Sequence, residues 1–326
     1  MDFGAALVAN LTSPPVLAFA LGFLVTALGA DLKLHEALYD ALSVYLLLAI
    51  GLKGGVAISV AEPGALLWPA LAALAMGTGI PLWCYAVLRR LLRLGAADAG
   101  ALAAHYGSVS AVTFVAAIQF LAARGVPAEG FLPALVALLE VPAIVVAIAL
   151  ARAGGAAGGG GGLREALHEV VFGRSVVLLV GGLAIGVLSG ERGYAPVKPL
   201  FSDLFLGALV LFLLELGVVA SRRRGDLRRA GLPLVAFAVI APITHAALAS
   251  LLGPLVGLSP GGTMVFATLA ASASYIAAPA AVRLALPEAS PSLYLASSLV
   301  VTFPFNLALG LPLYDAFARL AHRLLG

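Results

Sequence analysis

The sequence predicts an all-α polytopic membrane protein of ten transmembrane helices, built as two inverted five-helix repeats in which helices 4 and 9 are broken. Three observations predict it. The chain is 62% hydrophobic and only 11% charged, with a mean hydropathy of +1.08, where a soluble domain carries roughly 25% charged residues. Apolar runs long enough to cross a hydrocarbon core of about 30 Å recur between charged or Gly/Pro-rich turns. Two of those runs, 99–121 and 260–286, carry polar clusters in their middles, 162 positions apart.

In chain order, the first half holds spans at 15–29, 38–61, 66–88, 99–123 and 130–151, and the second at 175–189, 201–220, 232–252, 260–286 and 291–313. The opening MDFGAALVANLTSPP has no positively charged region and carries Asp2, so it is not read as a cleaved signal. The first span of each half is short, which suits a helix lying partly against protein. The domain organisation follows: a first repeat over 1–151, a linker over 152–174, a second repeat over 175–313 and an amphipathic tail over 314–326. The linker opens with RAGGAAGGGGGLR, whose glycine run is a flexible connector.

The halves match residue by residue. LLAIGLKGGVAIS at 47–59 lies over LVLFLLELGVVAS at 209–221, pairing Gly55 with Gly217 and Ser59 with Ser221. At the same offset Ser110-Ala111 lies over Ser272-Ala273, Thr113 over Tyr275, and Val141-Pro142 over Phe303-Pro304. Five spans per repeat make the second repeat enter the membrane from the opposite side. The cations agree with that. Lys33, Arg89, Arg90, Arg93, Arg152, Arg164, Arg174 and the five arginines of RRRGDLRR at 222–229 fall on one side. Only Arg124, Arg192, Lys198, Arg319 and Arg323 fall on the other. The positive-inside rule then makes the linker cytoplasmic and both termini external. The net charge of +3 and pI of 9.2 report this orientation; no basic patch with interleaved aromatics points to nucleic acid.

A helix broken inside a bilayer leaves backbone groups that only protein or a wet cavity can satisfy. Matched breaks in two inverted halves point to a binding site near the midplane. A half-helix beginning at a break aims its amide groups and the positive end of its dipole at the occupant, so two such ends can hold a small anion without a buried arginine. The first break is Gly107, Ser108, Ser110, Ala111 and Thr113; the second is Ser272, Ala273, Ser274 and Tyr275. Their hydroxyls donate to an anion and accept from a cation. Glu140 is the only carboxylate well inside an apolar span of the first half. A charge there costs roughly 2.5–3.5 kcal/mol at a helix centre, which makes it a candidate cation ligand or proton carrier. Ser110, Thr113 and Ser274 are further cation-coupling candidates, and any sodium would sit at Glu140. Lys53 and Glu215 occupy equivalent positions with opposite signs, which suits either a pair across the pseudo-two-fold axis or two side chains that each snorkel to an interface. His105 and His245 are candidate proton sites without metal-ligand spacing, and Gln119 and Asn306 are polar residues without an assigned role. Cys84 stands alone, so no disulfide framework exists. GxSxG, HExxH and P-loop motifs are missing, which leaves no enzyme reading and no ATP drive.

The chain resembles the sodium-dependent bicarbonate transporters best known from photosynthetic bacteria. The resemblance is carried by MDF at the start, SPP at 13–15, GLKGGVAIS at 51–59, HYGSVSAVTF at 105–114, GFLPALVALLEVPAIVVAI at 130–148 and ASASYIAAPAAVRLALPEASPSLYLASS at 271–298. It implies crossing broken helices in a core domain, a second gate or oligomerisation domain, a homotrimer in a bacterial cytoplasmic membrane, and bicarbonate and sodium where the breaks meet. It also implies that Glu140 stands where the family has an acidic residue before Ile/Val-Pro. Two departures stand out. The photosynthetic members have a serine run followed by aspartate in the second break, where this chain has Ser274 followed by Tyr275; a phenol there can donate to an oxyanion but supplies no carboxylate for sodium. The linker lacks the long Ser-rich insert of those members, which weakens any inference of a small nitrogen-regulator-like partner protein. The function expected is a sodium-coupled secondary importer of bicarbonate or a similar small anion, moving by an elevator-like mechanism. A proton-coupled carrier of another monocarboxylate or inorganic anion, and a non-transporting receptor or scaffold, are the alternatives.

Overall fold

A computed structural model describes residues 3–325 except 31, 33, 34, 63 and 157–162, so Lys33 and most of the glycine run lie outside the described residues. Among the described residues the chain is helical throughout. Helices α1 (Phe3–Leu11) and α2 (Pro14–Ala27) meet at a bend of 54°. Pro14 and Pro15 open α2 behind an extended Ser13, where a missing N–H costs nothing. There follow α3 (Glu36–Ser59), α4 (Leu67–Arg90), α5 (Ala96–Gly107), α6 (Ala111–Ala122), α7 (Leu132–Ala153), α8 (Leu163–Val171), α9 (Arg174–Tyr194), α10 (Phe205–Arg222), α11 (Leu227–Leu255), α12 (Pro260–Ala271) and α13 (Ala277–Ala285). Then α14 (Pro291–Leu295), α15 (Phe303–Phe305) and α16 (Leu311–Leu325) join through π-helical Ala296–Thr302 and Asn306–Gly310 into one run. Gly190 (φ 57°) and Gly231 (φ 73°) interrupt α9 and α11 in the left-handed region, close to the ends expected at 189 and 232.

Eight described spans, one of them α5 and α6 taken together across the first break, are long and apolar enough to cross a membrane, and nine if α1 and α2 form one bent span. The run at 260–286 is not among them: α12 and α13, of 12 and 9 residues, are separated by residues 272–276, a longer break than 108–110 between α5 and α6. At 1.5 Å per residue neither reaches across alone. Two of the expected segments contain helix. The linker region is not all coil, since α8 occupies much of its second part and packs on α13 and α7. The tail has no boundary at 314, since α16 runs through it with Tyr314, Asp315, Ala318 and Ala321 buried.

Two packing units result. In one, α9 packs along α3 and α2 along α10. Glycines let the backbones touch: Gly51 and Gly55 of α3 face Gly182 and Gly186 of α9, and Gly22 of α2 and Gly217 of α10 each meet the other helix's backbone. Tyr39 stacks on Phe212 at 5.0 Å and Tyr45 on Phe201 at 5.7 Å, tying α3 to the α10 side. In the other unit, α4, α5 and α7 pack together, as do α11, α12 and α16. Helices α5 and α12 are buried along nearly their whole lengths. Their broken ends therefore lie inside protein, a setting in which unpaired backbone is tolerated in a membrane.

Candidate functional site

The first break is short. Helix α5 stops at Gly107, Ser108 is extended (ψ 173°), and Ser110 (φ −107°, ψ 110°) caps α6. Serine suits that position because its Oγ accepts from an amide that the new helix cannot satisfy; here Thr113 N donates to it over 3.1 Å. In the second break, Ser272 ends α12, and Ser274 Oγ accepts from Ala278 N at 3.2 Å in the first turn of α13. A serine hydroxyl thus takes up a first-turn amide in each half-helix, from the N-cap of α6 and from three residues before α13.

The breaks hold each other. Ser110 N donates to Ser272 Oγ at 2.9 Å, and Ser274 N donates to the His105 carbonyl at 2.8 Å. Ser110 Oγ donates to the Tyr275 hydroxyl at 3.1 Å. Ser272 Oγ in turn donates to the Leu269 carbonyl at 2.8 Å. Backbone groups released by one break are therefore taken up by the other. A further freed carbonyl, that of Ala271, accepts from Asn306 Nδ2 at 3.0 Å, and Tyr314 OH donates to Asn306 Oδ1 at 2.6 Å.

A small cavity of about 20 Å³ lies where the breaks meet. It is bordered by Ser110 and Ala111 from the first break and Ser274 and Tyr275 from the second, by Glu140 of α7, and by Leu47, Ser175 and Leu179 of the α3–α9 pair. Glu140 is buried at 4% exposure, and no hydrogen bond to its carboxylate is formed among the described residues. Pro142, two residues on, removes a helical N–H, so the α7 backbone is also incompletely paired there. The cavity accommodates about one water-sized particle.

The remaining expected residues stand behind this surface. A side chain at Gly107 would run into Pro81 and Ala143, so that glycine serves the packing of α5 on α4 and α7. Ser108 is buried with its hydroxyl unpaired in the described structure. Thr113 is tied through its amide, Ser272 bridges the two breaks, and Ala273 is buried beside it. His105 stacks on Tyr294 at 4.4 Å and bonds through Nδ1 to the Ala101 carbonyl at 2.7 Å. His245 lies 3.7 Å from Cys84 Sγ. Lys53 sits over the Phe205 ring at 4.6 Å, ten residues of helix, about 15 Å, from Glu215. No group of three or more His, Cys, Asp or Glu gathers among the described residues. No local sequence pattern marks Ser175 or the α3–α9 wall. Asn306 stands out in the sequence only as a polar residue in an apolar run.

The profile of the Na+-dependent bicarbonate transporter superfamily matches residues 14–319. No curated protein matches the chain.

Proposed function

The chain belongs to the Na+-dependent bicarbonate transporter superfamily, a transporter family and not an enzyme family, and from that premise we propose that it is a sodium-coupled secondary importer of bicarbonate or a closely similar anion. One observation carries the reading: two half-helices, α6 and α13, begin at one cavity that also contains Glu140. Their N-termini supply positive dipole ends and unpaired amides for an anion. The Tyr275 phenol, which accepts from Ser110, keeps its own proton to donate. Glu140, with the hydroxyl oxygens of Ser110 and Ser274, supplies oxygen ligands of the kind a hard cation takes. The anion enters the wider site, formed by Gly107, Ser108, Ser110, Ala111, Thr113, Ser272, Ala273, Ser274 and Tyr275, and sodium is held at Glu140.

We read the architecture as ten spans in two inverted repeats. Every helix of the first half finds a counterpart in the second within a few residues of the 162 offset: α1 with α8, α2 with α9, α3 with α10, α4 with α11, α5 with α12, α6 with α13, and α7 with the run through α14 and α15. The packing exchanges in the same way, since α3 on α9 becomes α10 on α2. Linker and arginine-rich loop then face the cytoplasm, and both termini lie outside a bacterial inner membrane. The α2–α3–α9–α10 unit acts as the gate and trimerisation domain. Because the cavity of about 20 Å³ is too small for a four-heavy-atom anion, loading needs the α3–α9 wall and the breaks to separate, as sliding of the core past the gate accomplishes.

Radiolabelled bicarbonate uptake into proteoliposomes tests this: uptake should rise under an inward sodium gradient, and no uptake under any ion gradient would overturn it. Tyr275 supports a second reading, a proton-coupled carrier, for which uptake follows pH and ignores sodium.

A further inference from the structure

The largest cavity described, about 280 Å³, lies away from the breaks, between the α1–α2 bend, the outer half of α6, the start of α10 and the π-helical turn at Asn306–Gly310. Its floor is apolar in Pro15, Val16, Phe120, Leu307 and Leu311, which are buried there, and its one buried amide, Asn10, is spent on the Leu307 and Ala308 carbonyls. Its rim includes Ala9, Pro14, Ala123 and Leu206, all exposed. Along the same helices Val8, Leu17, Leu21 and Leu24 are exposed at 51–61%, the faces a bilayer covers. The opening is therefore set among lipid-facing side chains.

At one end stands Arg124. Its guanidinium lies 5.0 Å from the Phe120 ring centroid and pairs with Asp315, its side chain is 8% exposed, and its Nε is buried with no described partner. Asp315 also pairs with Arg319. One carboxylate thus serves two guanidinium groups. A positive charge is left over, of which the C-terminal dipole of α6 offsets about half. Gln119 lines the same cavity. An apolar slot open towards hydrocarbon and ending in a buried, incompletely paired cation matches an amphiphile with an acyl chain and an anionic head.

We propose that this cavity is a binding site for an anionic phospholipid, with the acyl chain in the slot and a headgroup oxygen on the Arg124 guanidinium. The lipid would touch α2 and α10 on one side and α6 on the other, so on the transport reading above it bridges the gate and the helix that carries the first break. Binding itself does not depend on that reading.

The test uses the full chain purified in neutral detergent, with thermal unfolding followed as lipid is added. Phosphatidylglycerol should raise the midpoint saturably, while phosphatidylcholine and inorganic phosphate should not. Arg124→Gln should weaken the apparent affinity by about tenfold or more, the value of one charge-assisted hydrogen bond. Ala116→Phe fills the slot without touching the ion pairs and should abolish the shift, so the proposal stays testable if Arg124→Gln fails to fold. An equal shift with phosphatidylcholine, a shift with phosphate alone, or a full phosphatidylglycerol shift in Ala116→Phe would each overturn it. Uptake can fail in liposomes while this lipid effect stands, and the reverse, which separates the two conclusions.

Discussion

Glu140 and Tyr275 divide the chemistry of the site between them. Glu140 borders the cavity with no described hydrogen-bond donor, a state that a carboxylate inside a membrane protein sustains only if a cation or proton accompanies it. Glu140→Gln keeps the shape and removes the charge, so bicarbonate transport should lose its sodium dependence, measured as the ratio of uptake with and without a sodium gradient. A ratio unchanged from the parent would remove sodium from this residue. Tyr275 bonds to Ser110, which in turn caps α6, so the phenol steadies the first break and, on the proposed reading, offers a proton to an anion. Tyr275→Phe deletes one hydrogen bond worth about 1 kcal/mol. Bicarbonate affinity, measured by ligand-dependent thermal shift, should fall roughly fivefold. Both residues stand out in the sequence, one as a carboxylate in an apolar span and the other as a departure from the family's aspartate. Ser175 does not, because a serine beside a terminal arginine looks like any helix end until α9 is packed against the break.

The half-helices depend on a partner in another element. Asn306 holds the Ala271 carbonyl, and Tyr314 holds Asn306. Asn306→Leu leaves that buried carbonyl unpaired, at a cost of about 1–3 kcal/mol; a lower unfolding midpoint in detergent would register it, and an unchanged midpoint would show that water replaces the amide. The glycine contacts between α3 and α9 are the other sensitive feature. A Cβ at Gly55 would overlap the backbone at Leu183 and Gly186, so Gly55→Val forces α3 and α9 apart, and overpacking of this kind costs about 1–3 kcal/mol. Folded yield and unfolding midpoint should both drop, whereas Gly79→Val on α4, with open space around it, should leave both near the parent. The element pattern itself was legible, because charged turns and proline positions delimit most helices. Helix α8 was missed because the neighbouring glycine run dominated the reading of the whole linker, although Leu163–Val171 is amphipathic by itself.

For the molecule as a whole, the proposed motion is a displacement of the α4–α7 and α11–α16 unit against α2, α3, α9 and α10. Leu47 of α3 and Ile276 of the second break border the same cavity from opposite units. With Cys84, which is buried, replaced by alanine, a Leu47→Cys/Ile276→Cys pair should cross-link and stop uptake reversibly, recovering on reduction. Full uptake by the cross-linked protein would exclude relative movement at this point. The amino-acid sequence by itself determined the membrane class, the position of both breaks, the candidate carboxylate and the family, because hydropathy, polar interruptions and motifs are local properties that survive without coordinates. Only the tertiary structure decided that the two breaks bond to each other across 162 positions, that Glu140 shares their cavity, and that Gly107, Thr113 and Ser272 stand behind it. The reason is physical: a released amide or carbonyl is satisfied by whichever group the packing of distant helices brings within about 3 Å, and no local pattern encodes that distance.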